Sequence, residues 1–130
     1  MRRVLASLLL AVLGAGAGPS AAQTTPFDGD WALGDPTRCV FGIDGAGAAL
    51  RIQGGTILGV ENRCELRNPV SVPGLSAVAY DLQCTGEGMT WQDRALFMLN
   101  HDGRLVYLSD WLARILQPCV RMRHLGDAPK

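Results

Sequence analysis

The residues whose type and spacing come closest to chemistry lie in the stretch CTGEGMTW, where Glu87 stands between Gly86 and Gly88, three residues after Cys84 and four before Trp91. A carboxylate that works as a general acid or base needs an apolar pocket or a charged neighbour to shift its pKa. Two flanking glycines supply neither. They supply backbone freedom, positive φ included, for a chain reversing between two strands. Glu87 is therefore expected as a solvated carboxylate at a turn tip, a contact residue for a partner before a catalytic one. A glycosidase would need a second acid about 5 to 9.5 Å away across a cleft, and nothing in the spacing sets Asp81, Asp93, Asp102 or Asp110 opposite Glu87.

Other chemistries have less to stand on. His101 and His124 are the only histidines, the first in a polar hairpin tip and the second near the chain end, whereas a zinc site needs several ligands converging from suitable spacings. Ser71, Ser76 and Ser109 lack a Gly-x-Ser-x-Gly setting. The glycine cluster of residues 42–47 has no Lys-Ser/Thr behind it and opens a strand, so it is a loop and not a phosphate cradle. No metal, no cofactor and no enzymatic activity are expected.

The elements that position these residues are strands. Residues 57–70 alternate: Leu58, Val60, Asn62, Cys64, Leu66, Asn68 and Val70 share one parity, and Glu61, Arg63, Glu65 and Arg67 the other. Period-two alternation marks a half-buried strand. The next run puts Val78, Tyr80, Leu82 and Cys84 on one face. Between the two, the Pro69, Pro73 and Gly74 region permits a reversal, which sets Leu66 against Leu82 and Cys64 against Cys84. Opposed residues of a non-hydrogen-bonded antiparallel pair stand about 4.5 Å apart at Cα, within disulfide reach. Of the three possible pairings, Cys64 with Cys84 and Cys39 with Cys119 are expected.

Short strands are also expected at residues 30–33 and 48–53, with Gly54-Gly55 as a tight turn. A strand over 91–99 leads through Asn100-His-Asp-Gly103 into another at 104–108. Residues 110–116 allow either a helix capped by Asp110 or, favoured by the surrounding hairpins and by Pro118, a last strand ending at Cys119. The sum is an all-β fold, a small antiparallel barrel or sandwich of about seven to eight short strands with two disulfides. Trp111, beside a turn, is the aromatic residue most open to a partner.

Residues 1–22, with Arg2 and Arg3, an apolar run and Ser20-Ala21-Ala22, have the form of a secretory signal peptide. The run is shorter than the about 20 apolar residues of a spanning helix. Residues 23–124 then form one domain with a flexible lead-in at 23–28, and 125–130 a flexible tail. The signal takes two of the twelve basic residues and none of the twelve acidic ones, which leaves a net charge of −2. That balance gives no footprint for nucleic acid or for an anionic membrane. A monomer without membrane insertion after signal cleavage, in the periplasm or secreted, is expected.

Two local patterns, Gly59-Val-Glu-Asn-Arg-Cys64-Glu-Leu-Arg-Asn68-Pro69 and Cys84-Thr-Gly-Glu-Gly-Met-Thr-Trp91 with Arg94 and Met98 behind, resemble a group of uncharacterised small secreted proteins from alphaproteobacteria. The resemblance runs from about Phe27 to Cys119. It implies export, paired cysteines and a β-rich domain, and carries no activity with it. The function expected is that of a non-enzymatic, inhibitor-like β-domain binding a protein partner of the envelope or the extracellular space. Two alternatives are a barrel holding an apolar molecule among Leu58, Val60, Leu66, Val78, Tyr80 and Leu82, and an envelope hydrolase using Glu87.

Overall fold

The computed structural model describes residues 23–42, 45–121 and 123–124; the expected signal segment at 1–22 and the tail at 125–130 lie outside the described residues. The strands are β1 (Gly29–Ala32), β2 (Val40–Gly42), β3 (Gly45–Ala46), β4 (Ala49–Gln53), β5 (Thr56–Leu58), β6 (Asn62–Ser71), β7 (Ala77–Gly86), β8 (Met89–Leu99), β9 (Leu105–Ser109), β10 (Ala113–Pro118) and β11 (Arg123–His124). Eight of them close an antiparallel barrel in the order β1-β10-β9-β8-β7-β6-β5-β4, with β4 paired back onto β1. β11, β2 and β3 make a small second sheet.

From β4 to β10 the barrel is a meander of hairpins, and its turns explain themselves locally. Gly54 and Gly55, both at positive φ, form the two-residue link between Gln53 and Thr56. Glu87 and Gly88, at φ 50° and 77°, do the same between Gly86 and Met89. Positive φ at both central residues is the turn whose twist matches that of the flanking strands. Residues 110–116 resolve in favour of the strand: Ser109 Oγ accepts from the backbone N–H of Trp111 and Leu112, closing a turn, and β10 follows.

Both disulfides form as expected, Cys39–Cys119 and Cys64–Cys84. Cys64 is opposite Cys84 and Leu66 opposite Leu82 in the β6–β7 ladder, and the bridged pair is 4.0 Å apart at Cα. The long strand expected over 57–70 is corrected in two ways. The chain reverses at residues 59–61, so that Ile57 faces Cys64 and is buried, while Leu58 lies opposite Arg51 and Arg63 on the outer face. The ladder is then irregular between Arg67 and Val70, where Asn68 has φ 50°, and Val70 ends up exposed. Of the six residues expected around an internal ligand, Tyr80 and Leu82 are core, Leu66 and Val78 pack against it, and Leu58 and Val60 do not line the interior of the core.

The lead-in, expected to be flexible, is instead held to the barrel, and through Phe27 it is part of the core. A turn held by Asp28 Oδ1, which accepts from the Thr25 N–H and hydroxyl, turns Phe27 into the barrel. There it meets Tyr80 edge-on and packs against Phe97 at 5.7 Å between ring centres, and its carbonyl accepts from Trp31 Nε1 at 2.9 Å. Burying an aromatic ring of this kind is worth several kcal/mol, roughly 3 to 5 as judged by truncation. A smaller cluster of Ala32, Cys39 and Ala49, with Phe41 and Cys119 against it, joins the barrel to the second sheet.

Candidate binding site at the barrel rim

The antiparallel order gives the barrel two unlike ends. The links at 54–55, 72–76 and 100–104 gather at the end that Phe27 plugs. The links at 59–61, 87–88 and 110–112 gather at the other, here called the rim. Expected contact residues Glu87 and Trp111 both belong to the rim. Glu87 is exposed at the hairpin tip, and Trp111 is 86% exposed.

Strand β8 shows how the rim opens. Its inward positions, going down from the rim, are Trp91, Asp93, Ala95, Phe97 and Leu99. Phe97 is fully buried and stacks edge-on with Tyr107 at 4.9 Å, so the lower half is filled. Above it is a recess of about 340 Å³, walled by Leu82 and the Cys64–Cys84 bridge and bordered by Trp91 and Trp111. Asn62, Asp93, Tyr107 and Ser109 are the polar side chains that line it.

Burial, with the Asp93 charge adding to it, pushes the Tyr107 phenol above its ordinary value, while a hydrogen bond with Ser109 pulls the other way. The phenol is thus held neutral, able to donate or accept. Next to the recess, a notch of about 200 Å³ is bordered by Val60, Glu61, Glu87, Met89 and Trp91. The two loops that form it are in close contact: a Cβ on Gly86 would stand 2.7 Å from the carbonyl oxygen of Glu61. Glu61 has φ 59°, so both glutamates of the notch occupy the left-handed region.

Large apolar side chains stand open around these hollows. Besides Trp111, Met89 is 62%, Val60 50% and Trp91 38% exposed. A larger hollow of about 450 Å³ exists at the plugged end between residues 23–26 and Leu66, Pro69 and Tyr80, but it has no such border. His101 is exposed at the β8–β9 turn, 3.1 Å from Asp102 and remote from the rim. Asp81, on the outer face, is paired with Arg94, and that pair together with an Asn68 amide holds its carboxyl below the usual range, the amide bond being the larger cause. Among the described residues, no group of three or more His, Cys, Asp or Glu is arranged to hold a metal ion, and all four cysteines are bridged.

Sequence reasoning placed Glu87 and Trp111 but missed Trp91, Asp93, Tyr107 and Ser109 as neighbours in one hollow. The signal was present in the alternation of Trp91, Asp93, Ala95 and Phe97, which puts a carboxylate on the inward parity. Chemically, the rim joins exposed aromatic and aliphatic surface to a few polar groups, the composition of a contact surface.

The two disulfides belong to an oxidising, non-cytoplasmic environment. No helix among the described residues is long and apolar enough to cross a membrane. No family model, curated protein or solved structure matches the chain.

Proposed function

We propose that the protein is an exported, non-enzymatic binding module of the periplasm or extracellular space that engages a protein partner through the barrel rim. The observation that carries the reading is the gathering of Val60, Met89, Trp91 and Trp111, all exposed, around the recess and its adjoining notch. Binding energy at protein interfaces concentrates in such aromatic anchors beside pockets. The secretory form of residues 1–22 and the two disulfides support export.

A small apolar ligand is the second reading, because the recess falls within the about 300–1,000 Å³ of ligand pockets. The protein partner ranks first because Met89 borders the notch outside the recess, where a ligand small enough for the recess does not reach. A hydrolase centred on Glu87 draws the least support: that carboxylate stands in solvent, with no hydrogen bond or ion pair to a described residue.

Affinity capture from envelope extracts tests the reading when three baits are compared: the disulfide-intact domain, a Met89→Ser/Trp111→Ala rim variant, and a Leu75→Ser variant at the plugged end. A partner retained by the first and third and lost by the second is the expected result. Identical retention on all three baits would remove the rim from the proposal.

A further inference from the structure

The acidic residues divide sharply between the barrel wall and the rim. On the wall and at the plugged end, Asp30 is paired with Arg51, Glu65 with Arg67, Asp81 with Arg94, and Asp102 with Arg104. Asp28 and Asp35 are taken up by hydrogen bonds from backbone N–H groups and threonine hydroxyls. The remaining described acids, Glu61, Glu87, Asp93 and Asp110, have no ion pair to a described residue, and all four are at the rim; Asp93 Oδ1 accepts from the N–H of Arg94, the next residue along β8. Among the described basic residues, Arg63 is two residues from Glu61 and is the Cα partner of Thr85 beside the Glu87 turn, and Arg94 follows Asp93 but is paired with Asp81; no ion pair joins either to these four acids.

We propose that the recess receives a positively charged side chain, an arginine or a lysine, presented by the protein partner; this rests on the binding reading above. Trp91 and Trp111 border the opening, and aromatic faces attract a cation that slides over them. Asp93 lies inside, two residues below Trp91 on the same face of β8. That step is about 6.6 Å of strand, the reach of an extended basic side chain, so a cation entering beside Trp91 arrives at the Asp93 carboxylate. Leu82 and the Cys64–Cys84 bridge give its methylene stem an apolar wall. Glu61 and Glu87, on the neighbouring loops, add attraction over the approach, where unpaired like charges favour any cation that settles among them.

An apolar side chain is the competing occupant, and charge separates the two. The test uses blocked pentapeptides that differ only in a central arginine, citrulline, norleucine or glutamate flanked by leucine, titrated into the disulfide-intact domain by tryptophan fluorescence and calorimetry. The arginine peptide is expected to bind about tenfold more tightly than its neutral isostere citrulline, the scale of one desolvated cation–π contact backed by a carboxylate. Asp93→Asn should erase that preference and leave the citrulline peptide unchanged. Glu61→Gln/Glu87→Gln, at exposed positions, gives a second reading should Asp93→Asn fold poorly, and should reduce the preference in a salt-dependent way.

Equal binding of the arginine and citrulline peptides overturns the cation proposal, as does the absence of saturation by the arginine peptide at millimolar concentration. If all peptides bind equally and Trp111→Ala weakens them all, the rim still binds and only the cation is wrong. If no peptide binds and capture does not depend on the rim either, the binding reading falls with it.

Discussion

Glu87 sits at φ 50° in a two-residue turn completed by Gly88 at φ 77°, and this makes its replacement a sensitive probe of what the turn is for. An L-residue in the left-handed region loses roughly 1–2 kcal/mol relative to a right-handed conformation, and asparagine loses less because its short polar side chain bonds locally. Glycine loses none of it, but its freer unfolded chain takes back about 0.4–1 kcal/mol. Alanine keeps the strain and removes only the charge. The expected order of stability is therefore Glu87→Asn highest, Glu87→Gly next, and wild type level with Glu87→Ala. The gain for asparagine is about 0.5–1 kcal/mol, or about 4 °C in Tm for a domain near a hundred residues. Thermal and urea unfolding of the disulfide-intact domain measure it. If both asparagine and glycine lower stability, Glu87 contributes a stabilising contact that outweighs its backbone strain, and the account of the turn is wrong. If asparagine stabilises while weakening the arginine peptide, then strain is retained at the rim for contact, as is common at functional positions.

Further expectations follow from the core and the staples. Replacing Cys39 and Cys119 together by alanine should cost more than replacing Cys64 and Cys84: the closed loops have sequence separations of 80 and 20, worth about 4.5 and about 3.3 kcal/mol on chain entropy. Urea midpoints in the reverse order would refute it. Phe27→Ala should destabilise by about 3–5 kcal/mol, although it precedes the first strand; a loss typical of an exposed residue would show that the plug is not held. The raised folded pKa of Tyr107 means that its contribution is intact below the ordinary tyrosine value of 10.0 and is lost as pH climbs through the folded value. Tyr107→Phe should therefore flatten the alkaline fall in stability, and an unchanged alkaline midpoint would count against a buried phenol.

The sequence disclosed most of the meander because alternation and turn chemistry agree there. β7 and β8 have inward residues on a steady parity, and Asn100-His-Asp-Gly103 names its own turn. Pairing the cysteines needed only the reversal between β6 and β7. The error at 57–70 has a physical cause. The turn at 59–61 contains no proline, and the residues at 58, 60 and 62 continue the parity of Cys64 across the reversal, so that alternation alone gives no sign of a break. What marks the turn is contact in space: the Gly59 N–H donates to the Asn62 carbonyl, and the Asn62 side chain lies against Gly59 where a Cβ would stand. Phe27 was hidden for another reason, since a single aromatic residue in a polar lead-in has no period to reveal it. The recess was illegible because it is lined from several strands and the 110–112 link at once, and strand spacing within one segment does not show which side chains meet across a barrel.

The closure of the barrel also sets an order of events. Every pairing from β4 to β10 joins strands adjacent along the chain, so those hairpins need only short loops to close. β1 is different: its Trp31 pairs with Leu50 on one side and Pro118 on the other. Its contact with β10 has the greatest chain separation of any in the barrel, and such contacts are the slow ones to form. The Cys119 N–H donates to the Asp30 carbonyl along this seam, and Cys119 is bridged to Cys39 just beyond β1. Oxidation there acts as a latch on the seam of greatest chain separation, so that the lifetime of the folded domain, as well as its equilibrium stability, depends on the compartment in which it finds itself.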